Sequence, residues 1–83
     1  MERADYLKRG DSVKVTIWSP DGQRLYESTD TGFHSLDSAI SDSIEKANLN
    51  INPEDCVFEV SNLETGVSHR YRLNAHGNLK LIV

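Results

Sequence analysis

The sequence predicts a two-layer α+β domain, in which five antiparallel strands in the order ββαβββ form one sheet and one helix packs on one of its faces. Apolar residues alternate with polar ones in five short segments, whereas in a single segment they recur every three or four residues. The chain has 83 residues and a formal net charge of −4. This length allows one modest core and is too short for two domains.

The first hairpin is predicted by alternation followed by a turn. Val13 and the apolar residues two and four positions later are expected on one face of the first strand. The segment 19–22, Ser-Pro-Asp-Gly, favours a three-residue loop with a glycine bulge, because proline presets φ and glycine accepts positive φ. Leu25 is then expected on the face of Val13, and Tyr26 on the opposite face. The predicted pairs are Trp18 with Arg24, Ile17 with Leu25, and Thr16 with Tyr26.

The segment after residue 33 changes to the helical period. Ser35 is the predicted N-cap, and Asp37 falls in the first turn, where the helix dipole favours a negative charge. One stripe of this helix is apolar and is expected to face the sheet. The stripe consists of Leu36, Ala39, Ile40, Ile44 and Ala47.

Alternating segments at residues 56–61, 67–74 and 79–83 predict three further strands, separated by glycine-containing turns. The last segment is so apolar that we expect it to pair within the sheet, since a free edge of this kind promotes aggregation. The pattern does not decide whether the first hairpin joins these strands through the third strand or the fifth.

Residues 1–11 show no periodicity and are predicted to form a flexible N-terminal arm, with a short helical turn near residues 4–8 as the alternative. Residues 12–83 are expected to form the single domain. No apolar run is long enough for a membrane span, and the first residues lack the profile of a secretory signal. Together with a single cysteine, Cys56, this predicts a cytoplasmic protein of bacterial type that does not act on membranes.

Few residues could carry catalysis or bind a metal. His34 and His76 are expected on the surface. His69 and Cys56 fall at inward positions, where a hydrogen-bonded core histidine and a small buried thiol are the usual roles. His34 and Asp37 could lie together, but zinc takes three or four protein ligands. We therefore predict no enzyme, no cofactor or metal site, and no concave pocket lined by groups with shifted pKa values.

Charge is distributed unevenly along the chain. Residues 27–55 contain seven acidic residues and one lysine, a net charge of −6, so the rest of the chain carries +2. The helix side is therefore expected to be acidic. A single helix covers only one face of a sheet, which leaves the other face exposed. Cations are predicted to concentrate there, with Glu59 as the main acid among them: Lys14, Arg24, Arg70, Arg72 and Lys80.

Aromatic residues and arginines on this exposed face form the candidate binding site, because Trp, Tyr and Arg are enriched at protein-binding hot spots. We interpret the chain as a small protein-protein interaction or adaptor module. Its partner would be another protein with an acidic or apolar patch, or a second copy of the chain. The candidate residues are Trp18, Arg24, Tyr26, Arg70, Arg72 and Lys80.

Two alternatives remain open. Aromatic side chains among arginines also bind single-stranded nucleic acid. The negative net charge opposes a polyanion, however, and both aromatic residues, Trp18 and Tyr26, lie on one hairpin. The other alternative is a purely structural face, in which Trp18 stacks on Arg24 and the arginines pair with Glu59.

Overall fold

The computed structural model describes residues 6–82 and, within them, five strands, one α-helix and one 3-10 helical turn. No helix in this range is long and apolar enough to cross a membrane. The elements, numbered in chain order, are β1 Val13–Trp18, β2 Arg24–Asp30, α1 Leu36–Ala47, the 3-10 turn Pro53–Asp55, β3 Val57–Asn62, β4 Ser68–Leu73 and β5 Leu79–Ile82.

The strands form one antiparallel sheet in the spatial order β2-β1-β3-β4-β5, and α1 packs against one face of it. The predicted α+β fold is therefore confirmed. The first hairpin joins the other strands through the third strand, because β1 pairs with β3. The last strand pairs within the sheet, as predicted, but only with β4, so that it forms one edge of the described sheet and β2 forms the other.

The hydrophobic core lies between α1 and the sheet. Val13 and Ile17 of β1 and Phe58 and Val60 of β3 have no exposed surface, and Ile40 of α1 packs with them. Complete burial of one such side chain contributes about 1.5–3 kcal/mol. The helix contacts β1 and β2, whereas the 3-10 turn contacts β4. The two halves of this face are therefore covered by different elements.

Both ends of α1 are capped by local side-chain and backbone geometry. The Ser35 hydroxyl accepts a hydrogen bond of 3.1 Å from the Ser38 N–H, which confirms the predicted N-cap. The helix ends at Asn48, whose φ of 51° is left-handed. Ser43 is also buried on the inner side, where its hydroxyl donates to the Ala39 carbonyl at 2.9 Å. The predicted apolar stripe is confirmed, since its five members are buried or packed against the core.

The first hairpin closes as predicted but contains a bulge beyond its turn. The Ser19 N–H donates to the Gln23 carbonyl at 2.8 Å, and Trp18 lies opposite Arg24. The register then shifts by one residue, so that Tyr26 rather than Leu25 lies opposite Ile17.

The predicted faces of Leu25 and Tyr26 are therefore wrong. Leu25 is the extra residue and is 39% exposed, whereas Tyr26 packs against the core on the helix side. The bulge also turns the Glu27 carboxylate away from the core. Burial of an aromatic ring and hydration of a carboxylate both favour this register.

Residues 6–11 pack against the domain, which differs from the predicted flexible arm. Leu7 is buried, and the Gly10 N–H donates to the Phe33 carbonyl at 2.8 Å. The Asn62 side chain donates to the Tyr6 carbonyl at 2.8 Å. These are isolated contacts with no repeating spacing, so the sequence gives no periodic signal for them. The part of the prediction that concerns residues 1–5 lies outside the described residues.

The predicted core position of His69 is also wrong. His69 lies opposite Val60 on the helix side of the sheet, but it is exposed, and α1 makes its main contacts with β1 and β2 rather than with β4. Its ring meets the Tyr6 ring edge-on, with centroids 4.6 Å apart. Cys56 is buried as predicted, and burial raises the pKa of its thiol.

Candidate binding face

The side of the sheet that points away from α1 is called the open face here. Its residues alternate along each strand with those that enter the core. It carries five cations and two carboxylates, a net charge of +3. Its members are Lys14, Thr16, Trp18, Arg24, Glu27, Thr29, Val57, Glu59, Ser61, Ser68, Arg70, Arg72, Lys80 and Ile82.

One row across the open face has cations at both ends and apolar side chains in the middle. Trp18 lies opposite Arg24 on one side and Val57 on the other. Arg72 lies opposite Lys80, and the register of β3 with β4 places Arg72 next to Val57. These five residues are called the end row. Neighbouring strands lie about 4.8 Å apart, so the row spans about 19 Å.

The cations at the β2 end of the open face share one acidic residue. A Glu27 carboxylate oxygen lies 3.7 Å from the Lys14 ammonium group and 3.6 Å from the Arg24 guanidinium group. All three side chains are exposed by more than a third. Each such surface pair contributes only about 0–1 kcal/mol. One carboxylate therefore partly compensates two cations within the fold.

Glu59 plays a similar part at the centre of the open face. The Trp18 indole N–H donates to its Oε1 at 3.0 Å, and Arg70 Nη2 lies 3.9 Å from the same oxygen. The Glu59 side chain is 23% exposed, less than the arginine beside it. The contact fixes the orientation of the indole on the sheet. The pairing of arginines with Glu59 that a structural face requires is thus present for Arg70.

Among residues 6–82, no acidic side chain compensates the cations at the β5 end. Arg72 and Lys80 lie directly opposite each other on β4 and β5. Across residues 6–82, no carboxylate oxygen lies within 4 Å of either charged group. Like charges in directly opposite positions destabilise a strand pair. Within residues 6–82, this corner therefore carries a local excess of positive charge.

The structure places five of the six candidate residues on the open face, and four of them belong to the end row. Arg70 lies in the next row, beside Glu59. Tyr26 is not part of the site, because the bulge turns it to the helix side. Sequence reasoning missed Glu27, which binds two of the cations. The sequence contained a sign of the bulge, because the unbulged register would point the Glu27 carboxylate into the core, where an unpaired charge is costly.

A separate open cleft of about 380 Å³ lies between residues 6–11 and the turn after β3. The Tyr6 hydroxyl at its wall donates to the Val60 carbonyl at 2.9 Å and lies 3.0 Å from the Tyr71 hydroxyl. Burial raises the pKa of Tyr6. The prediction that no pocket contains such a group is wrong here. These hydrogen bonds attach residues 6–11 to the sheet, which explains the buried phenol by structure alone.

No three His, Cys, Asp or Glu side chains among residues 6–82 are placed to hold a metal ion. Comparison with protein-family models, curated proteins and solved structures finds no match to the chain. The geometry and charge of the open face are therefore the basis for a functional proposal.

Proposed function

We propose that this protein is a non-catalytic interaction module whose open face binds an acidic segment of another protein. The observation that carries the proposal is the pair of Arg72 and Lys80, which no carboxylate of residues 6–82 compensates, beside the apolar centre of the end row. An acidic side chain from a partner would receive charge-assisted hydrogen bonds there. It would also remove the repulsion that the fold leaves in place.

The end row suits a partner that combines charge with apolar contact. Trp18 and Val57 offer apolar surface between Arg24 at one side and Arg72 at the other. Apolar burial at the centre of a patch, surrounded by charged groups, is the usual anatomy of a binding hot spot. Trp18 is already oriented by Glu59, so less side-chain freedom is lost on binding.

The proposal includes a cytoplasmic location. Cys56 is a free thiol, buried among apolar residues. A free buried thiol is typical of proteins in reducing compartments.

Single-stranded nucleic acid is the second candidate ligand, because the end row also presents cations around an aromatic ring. The position of Tyr26 weakens this candidate. Stacking platforms use several aromatic side chains, and the open face of residues 6–82 presents only Trp18. The net charge of −4 further opposes a polyanion.

The test is an affinity measurement by fluorescence anisotropy with labelled probes. The acidic probe is a hexapeptide of alternating glutamate and valine, and its charge control has lysine in place of glutamate. The double variant Arg72→Ala, Lys80→Ala is compared with the matched control Lys8→Ala, Arg9→Ala, which removes the same charges away from the open face.

We expect the wild-type protein to prefer the glutamate peptide. The Arg72→Ala, Lys80→Ala variant should lose roughly tenfold or more in affinity, while the control variant stays near wild type. Equal losses in both variants would refute the proposal, since only overall charge would then matter. Tighter binding of an oligothymidine than of the glutamate peptide, with a steep salt dependence, would favour nucleic acid instead.

A further inference from the structure

The two edges of the sheet differ in how well they are protected from pairing with another chain. β2 contains the bulge at Leu25, and its later residues are polar on both faces. Bulges and charged side chains are the usual devices that block an edge. β5 has a regular register with β4, and three of its four residues are apolar. Among residues 6–82, no strand pairs with its outer side.

The two faces of β5 define what such a strand must carry. Lys80 points to the open face beside Arg72, whereas Leu79 and Leu81 point to the helix side. A side chain opposite Lys80 on an added strand would lie about 5 Å from it. A carboxylate at that position relieves the like-charge pair. Apolar side chains at the alternate positions extend the core beyond Leu79 and the half-buried Leu81.

We propose that β5 is a docking edge, at which an extended acidic segment of a partner protein adds as a sixth strand. The segment alternates acidic residues, placed beside Lys80 and Arg72, with apolar residues, placed beside Leu79 and Leu81. Backbone hydrogen bonds along an edge supply affinity, and alternate side chains supply specificity, in this mode of peptide recognition. The inference rests on the proposed function, because it gives the acidic partner a conformation and a position.

Charge argues against a second copy of the chain as the occupant. A symmetric β5–β5 pair would bring two copies of Lys80 and two of Arg72 to one face of the joined sheets. The like charges would then be doubled rather than compensated. An acidic segment of a different protein fits the same edge without this cost.

The test uses the hexapeptide of alternating glutamate and valine in three forms: unmodified, N-methylated at every valine, and N-methylated at every glutamate. In an extended strand, alternate N–H groups point to opposite sides, so one modified form cannot donate to β5 while the other still can. Affinity is measured by anisotropy, and protection of the β5 amides is measured by NMR hydrogen exchange on the full chain.

We expect exactly one modified peptide to lose roughly tenfold or more in affinity. The unmodified peptide should slow exchange at alternate amides of β5. The variant Lys80→Glu should lose the preference for the glutamate peptide over its lysine counterpart, and Arg9→Glu should retain it.

Other results would overturn the inference in distinguishable ways. Equal binding of all three peptides, without protection of β5, would place the acidic segment across the open face and leave the proposed function intact. No binding of the unmodified peptide would overturn both the inference and the proposed function. Protection of β5 that rises with protein concentration alone would show that a second copy occupies the edge.

Discussion

The two outer hairpins of the sheet close with the same pattern of turn hydrogen bonds but differ in how their surface charges are arranged. In the β1–β2 hairpin, Glu27 lies within 4 Å of both Lys14 and Arg24 and partly compensates them. In the β4–β5 hairpin, Arg72 and Lys80 face each other with no carboxylate within 4 Å among residues 6–82. The first arrangement brings opposite charges together, whereas the second places like charges opposite each other. The proposed function assigns partner binding to the β4–β5 side for this reason.

The hairpins also differ in how they are covered. The helix α1 packs on β1 and β2, while β4 is contacted by the 3-10 turn and by Tyr6. Among residues 6–82, β5 pairs only with β4. Side chains without exposed surface occur in β1, β3 and β4, whereas β5 contributes the buried Leu79 and the half-buried Leu81.

The largest expected effect tests whether β1 contributes more to the stability of the core than β5. Ile17→Ala removes a completely buried side chain under α1 and should lower the free energy of unfolding by about 2–5 kcal/mol. Leu81→Ala, on a half-buried residue of β5, should cost clearly less. Urea denaturation of both variants measures the difference. Equal losses would show that β5 is as much part of the core as β1.

The next effect concerns the attachment of residues 6–11 to β3 and β4. Tyr6→Phe removes the donor to the Val60 carbonyl and a partner of the Tyr71 hydroxyl, at a cost of about 1–3 kcal/mol. The control is Tyr26→Phe, whose hydroxyl makes no hydrogen bond among residues 6–82 and should cost less. A Tyr6 variant as stable as wild type would mean that these bonds do not hold the segment.

The same variant has a predictable pH dependence. Burial raises the pKa of Tyr6 in the folded state above the value of about 10 expected when unfolded. Below that value the phenol is neutral in both states and stability is unaffected. Above it, the unfolded state releases the proton first, so stability falls as pH rises. Thermal unfolding between pH 9 and 11 should show a shallower loss for Tyr6→Phe than for wild type.

A smaller effect tests the bulge in the β1–β2 hairpin. Tyr26→Ala removes a ring that packs against the core and should cost about 1–3 kcal/mol. Leu25→Ala changes an exposed residue and should stay within about 0.5 kcal/mol of wild type. The unbulged register predicts the reverse order, so chemical denaturation of the two variants decides between the registers.

The smallest effect compares the charges of the two hairpins directly. Arg72→Glu converts the like-charge pair with Lys80 into an opposite-charge pair and should raise stability by about 0.2–1 kcal/mol. Glu27→Gln removes the acid shared by Lys14 and Arg24 and should lower it by about 0.2–1 kcal/mol. If both variants change the free energy of unfolding in the same direction in low salt, the two hairpins do not differ in charge compensation, and the binding proposal loses its basis.

Alternation and turn chemistry predicted most of the fold because both signals are local. The helix stripe, the Ser35 cap and the turn before Gln23 depend on residues that are close in sequence. The pairing of β1 with β3 could not be predicted, because it depends on contacts between residues that are far apart in the sequence. Residues 6–11 were missed for the same reason.

The predicted candidate site depended on which alternate residues of β2 were assigned to the open face. A single bulged residue moves every following side chain to the opposite face, so Tyr26 was assigned to the open face and Glu27 was overlooked. The cations on β4 and β5 were placed correctly because their register contains no bulge. Their lack of an acidic partner appears only when the positions of all described carboxylates are known.

The central claim is that the open face is electropositive and free to bind, and Trp18 reports on it directly because it is the only tryptophan. The most direct measurement is quenching of Trp18 emission by iodide and by caesium at equal ionic strength, with the solution mass determined on the same samples by light scattering. The account predicts a monomer whose Trp18, relative to N-acetyltryptophanamide in the same solutions, is quenched more by iodide than by caesium. It also predicts protection from quenching when the glutamate–valine peptide is added. Equal relative quenching by the two ions, or a dimer in which Trp18 is already protected, would contradict it.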